Sequence, residues 1–491
     1  HKEYRRQRQM CIRDRSSCAG SSTTDRSDAT RPDGPAAVIE SMPTTGEPFM
    51  GASIGAAVPA GYTEQEFIAS GTATSYSAIG ELTPDGRWTF QPDTEATYRT
   101  RILVRRPSDP SAFSGTVVVE WLNVSGGLDA NPDYASTEEE LVRAGDAWVG
   151  VSAQRIGVEG GPVLVSAPGA SGVTGVGLKH LDPARYGELD HPGDGYAFDM
   201  FTQVARAVRN GGDVLGGATP RTLIAAGESQ SAIALTTYYN GVQPLTDAFD
   251  GFYIHSRASV GLPLVGPGQY ADLAGSMTTS HPTILRTDLP TPVLELQAES
   301  DVTGVLRSID ARQDDTTTFR LWEVAGTAHA DAHLLGSLST QLDCGAPIND
   351  GPMHLVAKAA LRALSRWIDT GEPPASQPRL ATTTPATPGA SPTLARDTDG
   401  IVIGGIRTPP AEVPTVVLSG IPGPNPSLLC ILLGSTRPLP APEAAERYGD
   451  LAGYRDRFRA ATTAAIDAGV ILPEDLDASG LGHYEAATLG D

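Results

Sequence analysis

"RTLIAAGESQSAIALTTYYN" (residues 221–240) decides the reading of this chain. A short apolar run ends in a glycine, two serines follow one residue apart, and a helix-like segment begins. A serine hydroxyl is a poor nucleophile at neutral pH, so it needs a base within hydrogen-bond reach and donors for an oxyanion. One way to present it is a sharp turn between a buried strand and a helix. That turn requires small residues two before and two after the serine, because the two backbones nearly touch there. Ser229 meets the requirement, with Gly227 before it and Ser231 after it. Ser231 does not, since β-branched Ile233 stands two places on. "GESQS" departs from G-x-S-x-G at its last position, where serine replaces glycine. The bland alternative is a strand that ends in a polar turn.

The neighbourhood of this stretch is a series of short, nearly continuous apolar runs, the pattern of parallel strands buried on both faces. They are 116–123, 147–154, 221–227, 249–256, 292–299 and 319–326. Helix-like segments at 136–145, 196–210, 231–242 and 353–371 separate several of them. This alternation predicts an α/β fold, with a mostly parallel central sheet and helices on both faces. Residues 62–105 hold alternating, β-rich stretches with Gly and Asp turns between them, which predicts antiparallel N-terminal strands. Residues 372–400 are rich in Pro, Thr and Ala. We read 1–36 as a disordered tail, 37–371 as the core with inserted loops, and 372–491 as a linker and a C-terminal extension packed on the core.

A serine nucleophile needs a base. His329, in "LWEVAGTAHADAHLLG", follows an apolar strand on a loop that can reach the mouth of a parallel sheet. His333 is the competitor. The pair also forms H-x-x-x-H, but a zincin motif requires Glu after the first His and Ala330 stands there, so no metal is expected. The base needs an orienting carboxylate. "PVLELQAESDVTG" offers Asp301 in the turn proper, with Glu299 as runner-up nearer the strand. The order Ser229, Asp301, His329 matches the chain order of a known triad arrangement. One oxyanion donor is expected from the backbone of Gln230, and others from Val124, Ser125 and Gly126 in "VVVEWLNVSGGLDA", where Gly126 and Gly127 let the backbone curl toward a ligand. A plain Gly-Gly turn is the alternative. Asn123, Glu228, Arg155, His191 and His255 are candidates to contact substrate. Asp194 and Arg257 lie in the same loops as these candidates, where a structural hydrogen bond is the commoner role, and Glu120, like Glu228, flanks the site in sequence, where a carboxylate either tunes the pocket or is salt-bridged scaffold.

These motifs, with "WVGVSAQRIGVEGG", "DPARYGELDHPGDGYAFDMF", "DGFYIHSR", "NDGPMH" and "GGIRTPP", resemble the α/β-hydrolase fold. More closely they are similar to a bacterial family of large hydrolases labelled as α/β-hydrolase domain proteins. The resemblance runs from about residue 60 to 475. It implies a serine hydrolase with nucleophile Ser229, acid Asp301 and base His329. The expected reaction is carboxylic-ester hydrolysis of a small or polymeric ester through an acyl-enzyme. An amidase, lactonase or acyltransferase using the same triad, or an inactive binding protein of the same fold, are the alternatives. No cofactor is expected, since neither a P-loop nor a dinucleotide fingerprint occurs.

Of 491 residues, 40% are hydrophobic and 19% charged, and the formal net charge is -22. Such an acidic chain is a poor partner for nucleic acid or an anionic membrane surface. No apolar run approaches the length needed to span a bilayer. Residues 1–17 are basic and featureless and resemble read-through of a sequencing adapter, so they are set aside as non-native. A small-small-Cys step at Cys18, followed by a polar tether, resembles the lipidated start of a bacterial lipoprotein; an ordinary flexible tail is the alternative. Cys344 and Cys430 are expected to pair if the protein is exported, whether extracellular, periplasmic or lipid-anchored, and to stay as buried thiols if it is cytoplasmic.

Overall fold

The computed structural model describes residues 31–42, 48–51, 57–166, 172–384, 391–439 and 441–475. The chain divides into two units, His1–Pro32 and Asp33–Asp491. Every element described below belongs to the second unit; Cys18 and the basic segment lie outside the described residues.

Nine strands form one sheet: β1 (Val38–Ser41), β2 (Tyr62–Ala78), β3 (Phe90–Pro107), β4 (Thr116–Trp121), β5 (Ala147–Val151), β6 (Thr222–Glu228), β7 (Gly251–His255), β8 (Val293–Ala298) and β9 (Phe319–Val324). Their order is β1-β2-β3-β5-β4-β6-β7-β8-β9. The first three are antiparallel and join the sheet through an antiparallel β3–β5 pair. The remaining pairs, from β5–β4 to β8–β9, are parallel. Phe90 and Gln91, which end "RWTFQ", and the whole of "ATYRTRILVRRP" look separate in sequence but belong to one strand, β3, an arm of a long ribbon with β2.

The apolar runs are continuous because both faces are covered. On β6, Leu223 and Ala225 belong to the same buried cluster as Phe198, Phe201 and Ile233. Ile224 and Ala226, on the opposite face, belong to a second cluster with Tyr134 and Leu355. The helices that supply these layers are α1 (Pro132–Ala144), α2 (Ala197–Arg209), α3 (Gln230–Thr237), the short α4 (Glu299–Thr303) and α5 (Met353–Thr370). α3 continues as a π-helical turn, Tyr238–Val242. There Tyr238 meets Phe201, Phe249 and Phe252 in a buried aromatic cluster. Glu120 is fully buried on central β4. It accepts the Asp133 and Tyr134 N–H groups at the start of α1 and the Trp148 indole N–H, so it is a helix-capping scaffold residue.

The C-terminal extension adds β10 (Val416–Ser419) and β11 (Ser435–Pro438), an antiparallel pair, and α6 (Leu451–Asp467). Tyr454, Phe458 and Ala465 of α6 share a hydrophobic cluster with Trp322 of β9 and Trp367 of α5. A Cys344–Cys430 disulfide ties the extension to the segment that follows His329.

β4 has β5 on one side and β6 on the other, so the direction of strand addition reverses there. In an open parallel sheet this leaves a crevice outside the carboxyl ends of the strands. The loops after β4, β6, β8 and β9 all open onto it.

Candidate active site

Ser229 occupies the sharp turn between β6 and α3, with φ 59° and ψ -119°. A non-glycine residue in that half of the Ramachandran map is strained and persists only when its surroundings fix it. Two bonds fix it here. The Ser229 N–H donates to the His255 carbonyl, extending the β6–β7 ladder by one residue, and the Ile233 N–H donates to the Ser229 carbonyl, starting the helix. The strand and helix approach so closely that a Cβ on Gly227 would lie 2.9 Å from the Ser231 carbonyl carbon. Ser231 fits in place of glycine; its hydroxyl is buried and makes no hydrogen bond. Ser229 itself stays partly exposed.

His329 comes from the loop after β9. Its Nε2 lies 2.8 Å from Ser229 Oγ, and its Nδ1 lies 2.9 Å from Asp301 Oδ1. The loop is pinned by the Ser300 hydroxyl, which accepts the His329 N–H at 2.8 Å. Asp301, in α4, also accepts from the Ser256 hydroxyl at 2.6 Å and the Ala298 N–H at 2.8 Å. Burial opposes the Asp301 charge, but His329 and these donors outweigh it and hold the carboxyl below its usual range. In a neutral imidazole, an ionised carboxylate on Nδ1 keeps the proton on that nitrogen and leaves Nε2 bare.

Glu299, the alternative acid, points away from His329. It accepts the Gly326 and Gly420 N–H groups and pairs with Arg396, which binds the acid-bearing turn to the extension. His333, the alternative base, stacks on His354 with ring centroids 3.7 Å apart.

The loop after β4 lies against the start of α3. The Val124 N–H donates to Gln230 Oε1 at 3.1 Å, so the two backbone segments expected to supply oxyanion donors are neighbours. The Ser125 N–H is taken by Asn123 Oδ1 at 2.8 Å, which corrects its expected oxyanion role. Gly126 has open space where a Cβ would stand. Asn123 also donates from Nδ2 to the Glu228 carbonyl at 3.0 Å, lacing the loop to the turn that carries Ser229.

The other candidates are set further back. His191, expected to contact substrate, is buried with both ring nitrogens engaged. Nε2 donates to the Ala153 carbonyl and Nδ1 accepts the Gly193 N–H. Its role is to shape the loop. Arg155 donates to the His191 carbonyl and lies over the Tyr270 ring, joining the same loop network. His255 is also buried, with Nδ1 2.9 Å from Asp133 Oδ1. Glu228 is in the site itself, with Oε1 3.3 Å from His329 Nε2. Arg257 pairs with Glu295 inside the core. Sequence reasoning passed over Ser256 and Ser300. Ser256 has φ 55°, and nothing in "YIHSR" marks it beyond its place at a strand end.

The arrangement places a serine hydroxyl on one nitrogen of an imidazole and a carboxylate on the other, with the start of α3 and the loop after β4 beside them. A family model described as "Alpha/beta hydrolase domain" matches residues 31–479. The comparison with curated proteins finds no match. Among solved structures, the chain is similar to XC6422 from Xanthomonas campestris, described as an a/b serine hydrolase without lid. The identity is 14% over 60% of this chain and 95% of that one, with a TM-score of 0.30. It is also similar to a putative dienelactone hydrolase from Klebsiella pneumoniae, at 14% identity over 62% and 98% with a TM-score of 0.30. A thermostable esterase from Pseudomonas putida matches at 13% identity over 61% and 82%, again with a TM-score of 0.30.

Proposed function

The chain belongs to the alpha/beta hydrolase domain family, and from that premise we propose that it is a serine hydrolase that cleaves carboxylic esters through Ser229, His329 and Asp301. The observation that carries the reading is the continuous pair of contacts, Ser229 Oγ to His329 Nε2 and His329 Nδ1 to Asp301, at a serine held in strained backbone.

In this mechanism His329 Nε2 takes the Ser229 proton as Oγ attacks the ester carbonyl. The tetrahedral oxyanion is received by backbone N–H groups, that of Gln230 and one from the loop after β4. For the Val124 N–H to serve, the Gln230 side chain must turn aside. The imidazolium then gives its proton to the leaving alcohol, and water, activated by the same nitrogen, releases the acid. Asp301 keeps its negative charge throughout and stabilises the imidazolium.

The test is hydrolysis of short- and medium-chain p-nitrophenyl esters by the intact protein and by Ser229→Ala. The variant is expected to lose about 10³-fold or more in kcat, and the chain-length profile sizes the acyl pocket. Equal rates in both proteins would remove Ser229 as the nucleophile. The Cys344–Cys430 bridge supports an exported protein, because such bonds persist in oxidising compartments. Alkylation and mass spectrometry of unreduced protein from its native host checks this; free thiols at both positions overturn it.

A further inference from the structure

His329 has a second carboxylate that a Ser-His-Asp triad does not require. Glu228, the last residue of β6, places Oε1 3.3 Å from His329 Nε2, the nitrogen that Ser229 Oγ approaches to 2.8 Å. Its Oε2 lies 3.4 Å from Asn123 Nδ2. The side chain is buried, and among the described residues no lysine or arginine forms an ion pair with it. The titratable groups around it are His329 from the loop after β9, His255 from β7, Asp133 from α1 and Asp301 from α4. Asp331 faces His255 from the same loop as His329. Two imidazoles thus sit among four buried carboxylates.

We propose that Glu228 is a positioning carboxylate that holds a proton on His329 Nε2 in the resting enzyme, so that acylation of Ser229 must await the loss of that proton. The proposal rests on the reading of Ser229 and His329 as nucleophile and base. Glu228 and Ser229 make opposite demands on one nitrogen. A carboxylate beside Nε2 favours N–H there, whereas the serine can be deprotonated only by a bare lone pair. Burial opposes the charged imidazole, but Glu228 and Asp301 outweigh it and push the His329 pKa up to about 9. Burial also raises Glu228, to about 7, against the pull of His329 and His255. Between the two values the pair is an ion pair, and below the Glu228 value the carboxyl is protonated as well while His329 stays charged, so in neither range is there a base to offer. Above the His329 value the proton leaves, and Ser229 Oγ–H can donate to Nε2. After attack, the same carboxylate stabilises the imidazolium until the alcohol departs.

The experiment is the pH profile of kcat/KM for the intact protein and for Glu228→Gln, whose amide keeps the shape of the side chain without its charge. The intact protein is expected to show an acid limb near pH 9. In Glu228→Gln the limb is expected to move down by about 1–2 pH units, the shift that one adjacent opposite charge produces. A variant that merely loosened the fold would lower the plateau without moving the limb. An intact protein whose limb lies near the ordinary histidine value of about 6.5 overturns the proposal, as does an unmoved limb in the variant. Should Glu228→Gln not fold, the pH dependence of Ser229 labelling by a fluorophosphonate in the intact protein decides, since that reaction needs the same base. Ser229→Ala separates the two failures. If it is inert to label and ester while the limb stays put, only the role of Glu228 falls. If it reacts like the intact protein, the nucleophile assignment falls and this proposal with it.

Discussion

Replacing both Cys344 and Cys430 by alanine is expected to lower stability while leaving the catalytic centre assembled. The bridge spans a sequence separation of 86. Closing a loop of that length removes about 15 cal/mol/K of unfolded-chain entropy, or about 4–5 kcal/mol at 25 °C. A chain of this size unfolds with about 2 cal/mol/K per residue, so the thermal midpoint should fall by about 5 °C. Catalysis should survive because other contacts hold the His329 loop. The Ala330 N–H donates to the Leu432 carbonyl, the Ala332 N–H to Asn349 and the Asn349 N–H to Leu433. Ile348 and Leu433 bury the same seam. The assay pairs a thermal melt with p-nitrophenyl ester turnover at 25 °C, on the double variant and on reduced protein. An unchanged midpoint would refute the loop-entropy reasoning. A collapse of kcat in a folded variant would show that the covalent bond, not the backbone contacts, positions His329.

Asp301→Asn should lower kcat by about 10³–10⁴-fold, since an amide on Nδ1 stabilises neither the required tautomer nor the imidazolium; steady-state kinetics on the same esters checks it. Glu299→Gln should instead weaken the junction with Arg396 and Gly420, costing about 3 kcal/mol in an unfolding titration, with a far smaller change in kcat. The reverse ranking of the two variants would assign the triad acid to Glu299. Gly227→Ala should destabilise by about 1–3 kcal/mol, because the added methyl meets the Ser231 backbone at 2.9 Å. Its melt and its turnover should fall together as the turn opens, and a variant as stable as the parent would contradict the close approach.

The extension gives these predictions a common setting. Its Gly420 N–H and Arg396 hold Glu299, two residues before the acid. Its Leu432 and Leu433 carbonyls hold the segment after the base. The loops that carry Asp301 and His329 are therefore backed by residues about 100 positions further along the chain. Loops on a parallel sheet have few internal bonds of their own, so precise placement of two side chains needs such outside support.

The sequence by itself determined the sheet and the turn. Continuous apolar runs at the parallel strands state that both faces are covered, and helical segments between them state by what. Small residues at 227 and 231 picked Ser229 over Ser231, because that test depends on backbone contact between adjacent elements and is local. The same local logic marked His329 and Asp301 as loop residues at strand ends. It favoured Asp301 over Glu299 only by place in the turn, since the two lie two residues apart with equal chemistry. Only the tertiary structure gave Glu299 to Arg396 and Asp301 to His329, because the deciding partners come from distant parts of the chain. His191 shows the same limit: a histidine in a polar loop looks available until its ring nitrogens are found on the Ala153 carbonyl and the Gly193 N–H. Glu228 was visible as the neighbour of the nucleophile, but its distance to His329 Nε2 was not. That distance depends on how β6 and the loop after β9 meet across two intervening strands, and no spacing in the sequence encodes it.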